Sequence, residues 1–121
     1  MILGLRTAIY PVADLAAAKA WYGQVLNAKP YFDEPFYVGF SSGGFELGLL
    51  PSEEAGIGGV QAYWAAVSVA DEFARLVSLG ATVHEPPRDV GAGIKVASVI
   101  DPFGNRFSII ENPHFSIEAV R

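Results

Sequence analysis

The chain repeats one pattern of elements, and this repeat limits its fold more than any other feature. In each half, an apolar strand segment leads into a capped helical segment, and three further strand segments follow. The strand segments are 5–11, 28–32, 36–41 and 45–50 around a helix at 15–26, then 61–66, 81–85, 94–100 and 106–111 around a helix from Val69 to Gly80. Two copies of such a unit are too few for a solenoid. We therefore predict an α+β fold in which two tandem βαβββ modules form a curled eight-stranded mixed sheet around a cavity.

The predicted division follows from the same repeat. At 121 residues the chain has the size of a single domain. Its segment from Pro51 to Gly59 is rich in glycine, serine and glutamate and separates the two patterns. The predicted parts are module one at 1–51, a linker at 52–59, module two at 60–113 and a tail at 114–121.

Local signals mark the ends of both helices and the last hairpin. Asp14 is a good N-cap, and Ser68 precedes Asp71 at the spacing of a capping box. Asn27 and Gly80 suit the left-handed conformation that ends a helix. The segment 101–105, Asp-Pro-Phe-Gly-Asn, predicts a tight turn between the last two strands.

Composition excludes several classes of function. Hydrophobic residues make up 51% of the chain and charged residues 17%, which is typical of a packed core and not of disorder. No apolar run approaches the roughly 20 residues that span a bilayer, and no signal peptide is recognisable. A net charge of −5 argues against nucleic acid and anionic lipid as partners. The absence of cysteine excludes disulfides and thiolate chemistry and favours a cytoplasmic location.

The register between the two first strands stays open at this level. Matching the strands by their apolar runs gives an offset of 54 and pairs Thr7 with Gln61. Matching Val12–Asp14 to Val69–Asp71 gives an offset of 57, which puts Trp64 opposite Thr7 instead.

These motifs resemble those of a known superfamily. Val12-Ala13-Asp14-Leu15, followed by Trp21-Tyr22 and Leu26, resembles the opening of the glyoxalase, bleomycin-resistance and extradiol-dioxygenase superfamily, also called vicinal oxygen chelate proteins. The hairpin at 101–105 resembles that superfamily's second signature. The resemblance covers essentially the whole chain and is specific for the fold. It implies a ligand cavity, and often a homodimer with sites at or near the interface.

The resemblance also implies where a divalent metal ion would bind. Its ligands come from the first and last strand of each module, which here gives Thr7, Glu46, Gln61 and Ser108. Glu46 is a good ligand and Gln61 a fair one, whereas the hydroxyls of Thr7 and Ser108 are poor ligands. We therefore expect no metal ion and no other cofactor; an ion, if present, would use Glu46 and Gln61.

The same positions, with some aromatic side chains, are predicted to line a ligand cavity. Strand alternation and the register indicate Thr7, Tyr37, Phe40, Glu46, Gln61, Tyr63 and Ser108. His84 and His114 fall on no ligand position, and we expect them at the surface or in the tail. Catalytic residues stay unknown at this level.

Three functions are compatible with these residues. The favoured hypothesis is a metal-independent protein that sequesters an aromatic or cationic small molecule. The second is a divalent-metal-dependent lyase, isomerase or dioxygenase, and the third is a degenerate member with a structural or regulatory role. A serine hydrolase is rejected, because the G-x-S-x-G match at 39–43 precedes a strand and not a helix.

Overall fold

Both predicted modules are present. The computed structural model describes residues 1, 3, 5–54, 56 and 61–120. Module one consists of β1 Thr7–Val12, α1 Leu15–Leu26, β2 Phe32–Glu34, β3 Tyr37–Ser42 and β4 Phe45–Pro51. Module two consists of β5 Tyr63–Ala65, α2 Val69–Ser78, β6 Thr82–Gly91, β7 Ile94–Ile100 and β8 Arg106–Glu111, followed by a 3₁₀ turn at Ile117–Ala119. The α+β class and the tandem βαβββ architecture are confirmed. Half of the predicted linker at 52–59, residues 55 and 57–59, lies outside the described residues.

The eight strands form two four-stranded sheets. Sheet one has the order β1-β4-β3-β2 and sheet two the order β5-β8-β7-β6. In each sheet the first strand of the module runs parallel to the last, and the other pairs are antiparallel. The expectation of one eight-stranded sheet needs correction here. Among the described residues, the edge strands β1 and β5 contact each other through side chains and not through backbone hydrogen bonds. The Trp64 indole donates to the Tyr10 hydroxyl at 3.0 Å, and no backbone ladder joins the two strands in the described part of the chain.

The predicted helix caps are present. The Asp14 carboxylate accepts from the Ala17 N–H at 3.0 Å, and the Ser68 hydroxyl accepts from the Asp71 N–H at 3.2 Å. Asn27 has φ 50° and ends α1, and Gly80 has φ 106° just after α2. The two cap bonds of Asp14 and Ser68 satisfy N–H groups that no carbonyl within the helix can reach.

One face of each sheet packs on its helix and forms the core. Alternation along β3 and β4 turns Val38, Phe40, Leu47 and Leu49 to this side, where all four are buried. Phe40 was predicted to line the ligand cavity, and that prediction is wrong. Its neighbours Gly39 and Ser41 point to the opposite face, because successive side chains of a strand alternate. We call that opposite side, away from the core, the open face of each sheet.

The two modules are joined by polar contacts in and around the shared core. The Tyr22 hydroxyl of α1 donates to the Asp101 carboxylate at 2.5 Å, and the Asn105 amide donates to the Pro11 carbonyl at 2.6 Å. The Trp21 indole donates to the Leu79 carbonyl at 2.9 Å. The open faces are thereby held in fixed positions relative to the core.

Neither helix in the described residues has the length and apolar character to cross a membrane.

Candidate functional site

Glu46 lies on the open face of sheet one, near the start of β4. It pairs with Thr7 on β1 and with Ser41 on β3, so hydroxyl-bearing side chains lie on both sides of it. The next residue of β4, Leu47, points to the opposite face and is fully buried in the core. Thr7 and Glu46, both predicted to line a ligand cavity, are therefore neighbours on adjacent strands.

Two tyrosines hold the Glu46 carboxylate. The Tyr37 hydroxyl donates to Oε1 at 2.8 Å, and the Tyr31 hydroxyl donates to Oε2 in a short hydrogen bond. These bonds, from Tyr31 first and Tyr37 second, lower the pKa of Glu46. The carboxylate is therefore ionised at neutral pH, because donors to the charged form stabilise it.

The same contacts act on the tyrosines in the opposite sense. Burial, followed by the hydrogen bond to Glu46, raises the pKa of Tyr37 to about 12. The hydrogen bond to Glu46 also raises the pKa of Tyr31. Both phenols therefore stay protonated and act as donors over the physiological range of pH.

Two glycines allow the tyrosine rings to lie close to the sheet. A Cβ atom on Gly48 would lie 2.6 Å from Tyr37 Cζ and would overlap the hydroxyl. A Cβ on Gly39 would lie 2.8 Å from Glu46 Oε2 and 3.1 Å from a Tyr31 ring carbon. Sequence reasoning missed Tyr31 and both glycines. Glycine inside two adjacent strands was the available signal, because it often marks a close approach.

An open cavity of about 480 Å³ lies beside this cluster. Its lining combines the carboxylate, a guanidinium, hydroxyls and aromatic rings: Arg6, Thr7, Tyr31, Ser41, Gly44, Phe45 and Glu46. A volume of this size suits a small organic ligand. Of the predicted cavity residues, Thr7 and Glu46 line it directly, and Tyr37 does not line it but donates to Glu46.

The predicted residues of module two lie on sheet two instead. Tyr63 pairs with Ser108, so Tyr63 takes the position that Thr7 takes opposite Glu46. Gln61 was predicted at this position and lies two residues earlier, where its amide oxygen accepts from the Tyr63 hydroxyl at 3.1 Å. The register differs because Tyr63 precedes the Ser68 cap by five positions, whereas Thr7 precedes Asp14 by seven.

The two histidines have different environments. His114 is exposed, as expected, and its Nε2 lies 2.8 Å from the Ala92 carbonyl. His84 was expected at the surface, but its side chain is only 27% exposed and Nδ1 lies 2.8 Å from the Ser98 hydroxyl. Ser98 and Ser108, both buried, are neighbours on β7 and β8. Sequence reasoning missed His84 and Ser98 as members of a polar cluster.

The side chains at the positions implied for a metal ion do not fit one. Both carboxylate oxygens of Glu46 already accept from tyrosines, and the other positions carry Thr7, Tyr63 and Ser108. Nowhere in the described ranges do three or more His, Cys, Asp or Glu side chains group in a way that could hold an ion. A divalent metal ion needs several strong ligands, and these four side chains do not provide them.

Comparison with known proteins places this arrangement in a family. The family model for the Glyoxalase/Bleomycin resistance protein/Dioxygenase superfamily matches residues 4–109. No curated protein matches the chain in sequence.

Solved structures match over nearly the whole length. A glyoxalase-related enzyme from Fulvimarina pelagi has 22% identity and a TM-score of 0.79, with 98% of this chain and 95% of that chain covered. Lactoylglutathione lyase from Agrobacterium tumefaciens has 20% identity and a TM-score of 0.78, with 96% and 100% covered. A glyoxalase/bleomycin resistance protein from Albidiferax ferrireducens T118 has 24% identity and a TM-score of 0.71, with 90% and 98% covered. At identities this low, the structural similarity establishes a shared fold and nothing more.

Proposed function

The chain belongs to the Glyoxalase/Bleomycin resistance protein/Dioxygenase superfamily, and we propose that it is a small-molecule binding protein within it. The ligand is an aromatic or cationic compound, held in the cavity on the open face of sheet one without a metal ion. The observation that carries this proposal is the ionised Glu46 carboxylate, fixed between two tyrosine hydroxyls at an aromatic-lined cavity.

Charge favours a cation at this position. The lowered pKa of Glu46 keeps a full negative charge at the cavity wall. Tyr31 and Phe45 add ring surfaces, which attract a cation through their π faces. Arg6 also lines the cavity and donates to the Leu5 carbonyl at 3.1 Å. A ligand with one positive centre and an aromatic body therefore matches the Glu46 carboxylate and the aromatic rings of the lining.

The tyrosine hydroxyls support binding without metal. An ion at Glu46 would have to displace Tyr31 or Tyr37 from the carboxylate, at the cost of charge-assisted hydrogen bonds. An organic cation can approach the same carboxylate from the cavity and leave the bond to Tyr37 intact. The donor set thus favours an organic ligand over a divalent ion.

The test uses benzyltrimethylammonium as a probe and benzyl alcohol as its uncharged counterpart. We expect the cation to raise the Tm and to give saturable binding in calorimetry, whereas the alcohol binds at least about tenfold more weakly. The Glu46→Gln variant should weaken cation binding about tenfold and change the stability little, because the amide oxygen still accepts one tyrosine bond. Glu53→Gln is the matched control, since it changes the net charge equally at an exposed residue outside the cavity.

Metal is tested on the same preparation. The ion content of protein purified without chelator is measured, and Ni, Zn, Mn and Fe are then titrated. A stoichiometric, tightly held ion that is lost in Glu46→Gln would overturn the metal-independent part of the proposal. Equal binding of the cation to wild type and Glu46→Gln would overturn the assignment of the site.

A further inference from the structure

A second cavity lies on the core side of the sheets, away from both open faces. Its volume is about 430 Å³, and residues at the C-terminal end of α1 and the N-terminal end of α2 line it. Its apolar wall comes from α1, β5 and β8: Val25, Leu26, Trp64, Phe107 and Ile109. The cavity at Glu46 shares no lining residue with it, so we call this one the junction cavity.

Strand register places the wall of the junction cavity on the core side. Trp64 pairs with Ile109 in the β5–β8 ladder, and Ile109 is buried in the core. Paired residues share a face, so Trp64 points to the core side and its neighbour Tyr63 to the opposite one. Ser42, which also lines the cavity, follows Phe40 by two positions on β3 and shares its side. The junction cavity is therefore distinct from the positions that strand pattern predicted for a ligand.

A stacked aromatic pair forms one wall of this cavity. The rings of Trp64 and Phe107 have centroids 5.2 Å apart and planes inclined by 18°. The Trp64 indole donates to the Tyr10 hydroxyl of the other module at 3.0 Å, which fixes the orientation of the ring. Trp64 is only partly buried, whereas Phe107 is 3% exposed. An apolar surface that is fixed before binding loses little conformational entropy when a ligand packs on it.

The polar edge of the cavity carries negative charge. Asp71 and Glu72, from the first turns of α2, both line it. The Glu72 carboxylate forms an ion pair with Arg75 at 2.6 Å, so its charge is compensated. Asp71 forms no ion pair in the part of the chain that the structure describes. Its carboxylate is therefore the charge that a ligand in this cavity meets.

The start of α2 does not offer a competing site for an anion. The Val69 N–H donates to Oε1 of Glu111 at 2.7 Å, and the Asp71 N–H donates to the Ser68 hydroxyl at 3.2 Å. The N–H groups that would attract an anion at a helix N-terminus thus already have acceptors, one of them a carboxylate. The charge at this end of the cavity favours a cation.

We propose that the junction cavity is a second ligand site, which takes a small apolar amine in its ammonium form. The apolar body packs against the Trp64–Phe107 wall and the aliphatic side chains of α1, and the ammonium group donates to the Asp71 carboxylate. A cavity of this size, mostly apolar with one charged group at its edge, is typical of small-molecule sites. The inference uses no residue of the cavity at Glu46 and does not rest on the proposed function.

The experiment titrates the full-length protein with phenethylamine and, separately, with phenethyl alcohol, its uncharged counterpart. The chain has two tryptophans, so heteronuclear NMR resolves the indole N–H signal of Trp64 from that of Trp21. We expect the Trp64 signal to shift in a saturable way with the amine. The alcohol should bind at least about tenfold more weakly, since the charge-assisted bond is lost.

Two variants test the charge and the space separately. Asp71→Asn should weaken the amine about fivefold or more and leave the alcohol unchanged, because only the ammonium group uses the carboxylate. Glu53→Gln is its matched control, with an equal change of net charge at an exposed residue outside both cavities. Ser42→Leu fills the junction cavity and should abolish the shift of the Trp64 signal with either compound. Ser41→Leu places the same side chain in the cavity at Glu46 and should leave the Trp64 titration unchanged.

The Trp64 signal also separates this site from the one at Glu46. Amine binding that calorimetry detects while the Trp64 signal stays still would overturn the junction site and leave the cation site at Glu46 standing. Equal affinities for the amine and the alcohol, or a titration that Asp71→Asn leaves unchanged, would overturn the role of the carboxylate and with it the proposal. Full affinity in Ser42→Leu would place the ligand outside the junction cavity.

Discussion

At position 48 the absence of a side chain decides where Tyr37 can lie. A Cβ atom there would lie 2.6 Å from Tyr37 Cζ, which is closer than non-bonded atoms tolerate. Gly48→Ala should therefore push the phenol off the sheet and weaken its bond to Glu46. We expect a loss of about 1–3 kcal/mol in unfolding free energy, typical of an overpacked site. This exceeds the gain of roughly 0.5–1 kcal/mol that alanine brings to a strand over glycine. Urea denaturation measures the difference.

A matched glycine separates the clash from a general effect of alanine. Gly56 has nothing within 4 Å of a built Cβ, so Gly56→Ala should change the stability little. Truncating the neighbour should restore tolerance: in the Tyr37→Ala background, Gly48→Ala should cost far less than in the wild type. An equal cost in both backgrounds would show that the Tyr37 ring does not constrain position 48.

The residues of the site were only partly predictable. Glu46 and Thr7 follow from the family pattern and from strand alternation, which fix a face with few alternatives. The partnership of Tyr31 with Glu46 depends on how a long side chain folds back over Gly39, and sequence spacing does not encode that path. Phe40 was misplaced because aromatic side chains suit both a core and a cavity wall, and alternation alone does not say which face is buried.

Among the elements, helices were predicted more closely than strands. The caps at Asp14 and Ser68 and the stop at Asn27 are local signals, so the ends of α1 and the start of α2 agree with the sequence. Strand β6 was predicted to end at residue 85 and extends to Gly91, through register irregularities. Irregular pairing of this kind depends on the partner strand β7, so one strand's own sequence does not reveal it.

The turn at 101–105 connects the two modules in addition to closing a hairpin. Asp101 Oδ1 accepts from the Phe103 and Asn105 backbone N–H groups, while Oδ2 accepts from the Tyr22 hydroxyl. Tyr22→Phe removes the last of these bonds and leaves a buried carboxylate one donor short. We expect a loss of roughly 1.5–3 kcal/mol at neutral pH, the range for a hydrogen bond to a charged group. Urea denaturation of the variant and of the exposed-site control Tyr63→Phe measures it.

The pH dependence of that loss follows from Asp101. Burial raises the pKa of this carboxyl, and the Tyr22 hydroxyl bond acts in the opposite direction. Tyr22→Phe should therefore raise the pKa further. With the higher pKa, the native state of the variant binds the proton more readily than the native wild type does. The stability lost in Tyr22→Phe should therefore shrink as pH falls through the native pKa of Asp101. A loss that stays constant from pH 7 down to acid would contradict the role of the charged carboxylate.

For the whole molecule, both open faces carry exposed apolar side chains in the described part of the chain. Large apolar side chains remain exposed there: Ile9 is 54% exposed, Leu50 is 42% exposed and Tyr63 is 49% exposed. Exposed apolar patches on a folded domain mark surfaces that another molecule covers. The family resemblance implies a homodimer, and these faces are where a second copy would bury apolar area.

We therefore predict that the protein is a dimer in solution. Sedimentation equilibrium at micromolar concentrations should give twice the chain mass of 12.9 kDa. Ile9→Glu should shift the equilibrium toward monomer, because it places a charge on a surface that association would bury. Val67→Glu is the control. It adds the same charge at a residue that is fully exposed and lies outside both sheets, so this variant should stay dimeric. A wild-type chain that sediments as a monomer throughout would contradict the prediction. A dimer that Ile9→Glu leaves intact would place the interface away from the open face of sheet one.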